Sequence, residues 1–98
     1  MRTMIKVTVP VEAGNKAIQE GAMQKVLAEA TERLRPEAAY FFTDRGVRTA
    51  LYVADVKDPS EIPVIAEPFF IGLNAAVEFT PVMNADDLKK ALERVSKK

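Results

Sequence analysis

A chain of 98 residues with neither histidine nor cysteine has a short list of side chains that can do chemistry. It offers no thiolate nucleophile, no disulfide, no imidazole base, no Ser/His/Asp triad, no zinc site of the usual N and S ligands, and no haem held by His or Cys. Carboxylates, lysine amines and tyrosine phenols remain. With Ile5, Val7, Leu51, Val53, Val77 and Phe79 turned toward helices, the opposite side of a sheet presents Lys6, Thr8, Arg48, Tyr52, Asn74, Glu78 and Thr80, with Tyr40 nearby. If the first strand lies between the fourth and the third, Lys6 faces Glu78 across a strand pair with Tyr52 beside them. Such a cluster can bind a small carboxylate or polarise a carbonyl, and a desolvated Glu or Lys can acquire a pKa suited to proton transfer. The plainer reading of the same residues, and the commoner role of such groups, is an ion pair solvated at the mouth of a barrel or shared across a dimer. The ligand-binding candidates are therefore Lys6, Tyr40, Arg48, Tyr52, Asn74 and Glu78, with no residue assigned to catalysis and no cofactor or metal expected.

Three other stretches invite a chemical reading and have a plainer one. Glu12-Ala13-Gly14-Asn15 can open a helix toward an anion, but Glu12 would repel the anion and no second glycine follows, so Asn15 reads as a cap. Glu67-Pro68-Phe69-Phe70 can wall a ligand, but aromatic residues at helical spacing suit a core. Asp86 and Asp87 lack a third ligand at useful spacing, and helix capping accounts for them.

The elements that would position these groups follow from periodicity. Thr3 to Val9 alternates with Ile5, Val7 and Val9 on one side, a strand ended by Pro10. Ile18, Ala22, Met23, Val26, Leu27, Ala30 and Leu34 fall at helical spacing between about Asn15 and Leu34, with Gly21 placed to divide the helix and Pro36 to close it. Ala38–Thr43 and Arg48–Ala54, joined across Asp44-Arg45-Gly46, read as a hairpin. Asp58-Pro59-Ser60-Glu61 opens a second helix, Pro63 favours Ser60 as its cap, and Pro68 should kink or end it. Leu73 to Val82 alternates as a fourth strand, its Pro81 suited to a sheet edge. Asn84 caps a last helix with the stripe Leu88, Ala91, Leu92 and Val95, acidic at its start and basic at its end through Arg94, Lys97 and Lys98.

Fourteen basic and fourteen acidic residues leave no formal net charge, and no basic surplus exists for nucleic acid. The longest stretch free of charge, Pro68 to Val77, is about half what a membrane helix needs. These features, with no signal-like apolar start, predict a cytoplasmic protein with residues 1–98 forming a single domain that binds neither nucleic acid nor membrane.

The order strand, helix, strand, strand, helix, strand plus a terminal helix predicts an α+β fold, ferredoxin-like βαββαβ, with one four-stranded antiparallel sheet and helices on one face. The hairpin strands are apolar on both parities, Ala38, Tyr40 and Phe42 as well as Ala39 and Phe41, so both faces want cover. A chain this small buries only about 60 to 65% of its unfolded surface alone, and a second copy is the economical cover. The expected partner is therefore the chain itself.

Four segments carry a resemblance: Thr8-Val9-Pro10-Val11-Glu12-Ala13-Gly14-Asn15, Arg35-Pro36-Glu37-Ala38-Ala39-Tyr40-Phe41, Ile65-Ala66-Glu67-Pro68-Phe69-Phe70, and Phe79-Thr80-Pro81-Val82-Met83-Asn84-Ala85-Asp86-Asp87-Leu88. Together they resemble an uncharacterised small bacterial protein family within the dimeric α+β barrel superfamily. Relatives at that distance include cofactor-independent monooxygenases, haem-degrading enzymes, muconolactone isomerases and effector-binding domains of transcription regulators. Several of those enzymes use a histidine, which this chain lacks. The family itself supplies no function. The residues leave two readings open: a non-catalytic homodimer that binds a small organic ligand in its barrel or serves as an interaction unit, or alternatively a cofactor-independent isomerase or monooxygenase with Glu78 or Lys6 as acid or base and Tyr52 orienting substrate.

Overall fold

The computed structural model describes residues 1–97; Lys98, expected in the basic tail of the last helix, lies outside the described residues. The elements are β1 (Arg2–Val9), α1 (Val11–Gln19), α2 (Ala22–Leu34), β2 (Ala38–Asp44), β3 (Val47–Asp55), α3 (Glu61–Leu73), β4 (Ala76–Pro81) and α4 (Ala85–Ser96). One antiparallel sheet runs in the order β2-β3-β1-β4. This is the expected ferredoxin-like α+β fold with an added terminal helix, its first helical segment divided in two. No helix among the described residues is long and apolar enough to cross a membrane.

The alternation of β1 sets the layers. Ile5, Val7 and Val9 are buried, and the register places Ile5 between Tyr52 and Phe79, and Val7 between Ala50 and Val77. Residues opposite one another in a sheet share a face, so Ala50, Tyr52 and Ala54 lie with Ile5 under the helices. Leu51 and Val53, expected there, stand on the open face instead. Tyr52 is fully buried, its ring edge-on to Phe41 at a centroid distance of 6.0 Å and tilted against Phe69 at 6.2 Å. The hairpin turn is two residues long, with Arg45 and Gly46 both at positive φ (55° and 78°) between the paired Asp44 and Val47. Two left-handed residues in succession match the twist of antiparallel strands.

Three helix boundaries differ from expectation. The first helix begins at Val11 rather than near Asn15, because Pro10 ends β1 and enters the helix at once, its carbonyl accepting from the Gly14 amide at 2.8 Å. Gly21, at φ 79°, divides α1 from α2 as its position suggested. Ser60 precedes α3 but makes no side-chain cap. The Glu61 carboxylate accepts from the Lys57 and Asp58 amides, and Asp58 accepts from the Ser60 amide and hydroxyl. The third difference is at Pro68, where α3 continues to Leu73. A proline inside a helix strands the carbonyl four residues earlier. That carbonyl, on Val64, accepts instead from Arg33 Nη1 of α2 at 3.2 Å. Leu73 is thus the buried last residue of a helix, and β4 begins only at Ala76.

Asn84 caps α4 as expected, accepting from the Asp87 amide at 2.8 Å while Asp87 accepts from the Asn84 amide at 3.0 Å. Arg2 ties Asp87 to the start of β1 at 3.2 Å. None of the described α4 residues is buried; Leu88, Leu92 and Val95 are exposed.

Close packing of α2 on α3 depends on Gly72. A Cβ there would lie 2.7 Å from Val26 Cγ2, on a β-branched side chain with little freedom to turn away. Gly72→Ala is expected to cost roughly 1–3 kcal/mol, read as a lower urea midpoint with an unchanged slope. An unaltered midpoint would contradict this packing.

Candidate functional site

The face of the sheet away from the helices carries Met4, Lys6 and Thr8 of β1, Thr49, Leu51 and Val53 of β3, Ala38, Tyr40, Phe42 and Asp44 of β2, and Ala76, Glu78 and Thr80 of β4, as the register requires. Lys6, Tyr40 and Glu78 are therefore on the face where they were sought, with Lys6 directly opposite Glu78. Tyr40 is well exposed, as are Phe42 beside it and Glu78.

The other three candidates stand elsewhere. Tyr52 belongs to the core. Both parities of β3 are apolar, so alternation alone could not say which side turns inward. Asn74 is not in a strand: it ends α3 at φ 53°, its amide donating to the Phe70 carbonyl at 3.0 Å, a left-handed position that asparagine tolerates well. Arg48, opposite Val9, is on the helix face. Its Nη2 donates to Asn15 Oδ1 at 3.0 Å and its Nη1 lies 3.4 Å from the Val11 carbonyl oxygen, so Asn15 holds Arg48 rather than capping a helix. Gly14 makes room, since a Cβ there would lie 2.6 Å from Arg48 Nη1.

The partner that the sequence reading missed is Asp44. Its Oδ2 is 2.6 Å from Lys6 Nζ, so the acid that holds Lys6 comes from the end of β2 rather than from Glu78. Two-residue alternation from Tyr40 through Phe42 reaches Asp44, and this was the available signal. The Asp44 carboxylate is held below its ordinary pKa by the hydrogen bond and charge of Lys6. Lys6 is raised by the same contact, with a smaller contribution from Glu78. Lys6 thus stays protonated and Asp44 ionised, an arrangement suited to binding a polar group and unsuited to giving or taking a proton. Burial raises the Tyr52 phenol above its ordinary value. Thr31 opposes that shift, but its hydroxyl donates to the Leu27 carbonyl and the phenol oxygen has no hydrogen-bond partner.

Compared with family models, with curated proteins and with solved structures, the chain has no match in any of the three.

Two outcomes follow. Tyr52→Phe removes an unpartnered buried hydroxyl and should leave the protein as stable or about 1 kcal/mol more stable by chemical denaturation; a large loss would mean that the phenol has a partner. For the ion pair, a carboxylate with a depressed folded pKa contributes stability above its unfolded value and loses it as pH falls through the folded one. Wild type should therefore melt above Asp44→Asn near neutral pH. Acidification from about pH 6 to pH 2 should bring the two melting temperatures together, and a constant gap would exclude the pair as its cause.

Proposed function

We propose that this chain is a homodimeric binding module: two copies pack open sheet face to open sheet face as an α+β barrel, and a small polar organic molecule binds between them beside Lys6, Asp44 and Glu78. The observation that carries the reading is the imbalance of the two faces. One side of the sheet is covered by helices, except beside Phe41 at the β2 edge. The other leaves Tyr40 64% and Phe42 43% exposed beside the half-buried Met4, Leu51 and Val53. Contiguous exposed apolar surface of this kind marks association sites, and a two-fold axis lets one patch cover itself. Such a barrel agrees with the resemblance to the dimeric α+β barrel superfamily.

Within that barrel the charged groups sit among apolar walls, where ionic contacts to a ligand gain strength from the lowered dielectric. Binding is favoured over acid/base catalysis by the Lys6–Asp44 pair, which commits the lysine, and by the removal of Tyr52 from the set. The chain is accordingly read as a ligand-binding or interaction unit rather than an isomerase or monooxygenase.

Light scattering at tens of micromolar tests the assembly, with a dimer mass expected. Leu51→Asp, which places a charge in the middle of the proposed interface, should give a monomer with the wild-type circular dichroism spectrum. A wild-type monomer, or an unchanged dimer in Leu51→Asp, would overturn the reading.

A further inference from the structure

A second site lies on the other side of the sheet. Between α2 and the β2–β3 hairpin is a cleft of about 210 Å3, with Val7 and Ala50 as floor, Met23 and Leu27 as the helix wall, Phe41 on the strand side and Arg48 contributing its cationic side chain. Phe41 faces the helix layer, since it pairs with Ala50, yet it is 59% exposed. An aromatic side chain on the core side of a sheet is ordinarily covered; here it borders unfilled space, and its neighbours forgo the contacts that a filled core supplies. Arg48 is held in place by neutral groups only, Asn15 Oδ1 and, more weakly, the Val11 carbonyl. Among the described residues no carboxylate lies within 4.0 Å of it, Glu12 of the neighbouring helix included.

We propose that this cleft binds a small aromatic carboxylate, a single six-membered ring with a short acidic chain, its ring between Phe41, Met23 and Leu27 and its carboxylate on Arg48. Shape, polarity and charge agree on this occupant. An apolar cavity of about 150 Å3 accepts benzene, so 210 Å3 accommodates a ring and a few further atoms. Arg48 and Thr49 are the polar residues at its walls, and the Thr49 side chain belongs to the other face of the sheet, its hydroxyl donating to the Val47 carbonyl; this disfavours a ring bearing several polar groups. The guanidinium is a planar donor suited to a carboxylate. Asn15 and the space left by Gly14 fix its position before any ligand arrives, so little ordering is needed on binding. This also accounts for the Gly14-Asn15 pair: Gly14 seats the arginine and Asn15 orients it.

The experiment is an amide NMR titration of the full chain with 3-phenylpropanoate, run beside 3-phenylpropanamide and acetate. The carboxylate should shift the amides around Val7, Leu27 and Ala50, with the neutral amide binding at least tenfold more weakly and acetate giving no saturable change there. Arg48→Gln should remove the advantage of the carboxylate over the amide. Leu27→Phe, which fills the cleft with Arg48 intact, should abolish binding of both; this second variant serves should Arg48→Gln loosen α1. Leu51→Asp should bind 3-phenylpropanoate as wild type does, which separates this site from the proposed dimer. No saturable shift up to about 10 mM, equal affinity for acid and amide, or binding unchanged in Leu27→Phe would overturn the proposal.

Discussion

The pairing of Ile5 with Tyr52 at the centre of the sheet determines where the neighbouring side chains go. Strand side chains alternate with a period of two, so one such pair assigns both strands, and each further strand follows by its own register. Tyr52 is drawn inward with Ala50 and Ala54, small residues on either side of the one large ring. Leu51 and Val53 are sent outward by the same step. The open face is apolar because the residues that would conventionally fill a core have been placed on the other side of β3, and Lys6, Asp44 and Glu78 are set among them.

Much of this order is legible along the chain because its signals are local. Pro10, Gly21, Pro36 and Asn84 mark boundaries through their own backbone and capping chemistry, and β1 alternates without ambiguity. The phase of β3 is not legible because both of its parities are apolar, and the deciding contact, of Tyr52 with Ile5, is with a strand far earlier in the chain. Pro68 misleads for a related reason. Its local effect is to break a helix, but Arg33, from another helix, supplies the donor that the Val64 carbonyl lacks. The end of α3 at Leu73 was likewise obscured because Leu73, Ala75, Val77 and Phe79 continue an apolar alternation across the helix-to-strand junction. Of the candidate site, Lys6, Tyr40 and Glu78 were found on one face, whereas Tyr52, Arg48 and Asn74 were displaced by the phase of β3 and by that junction.

Arginine does three different jobs here. Arg2 bridges carboxylates, Glu37 at 2.7 Å and Asp87 at 3.2 Å, tying the start of β1 to the segment before β2 and to the first turn of α4. Arg33 donates to a carbonyl left over by proline. Arg48 rests on an amide oxygen and a backbone carbonyl, and among the described residues no carboxylate lies within 4.0 Å of it. A chain with no net charge can still concentrate an unneutralised cation where apolar walls meet, and its balanced composition conceals this.

The central place of β1 also bears on how the molecule is made. Its partners are residues 48–55 on one side and 76–81 on the other, all of them later in the chain, so during synthesis β1 has both edges bare until those segments have followed. Bare strand edges invite pairing with other chains. Arg2 and Lys6, the two charged residues of that strand, are of the kind that discourage such pairing before the proper partners arrive. With β4 the last strand to join, the sheet is completed only when residue 81 is free, and its long-range contacts make folding a late and collective event rather than one that advances with synthesis.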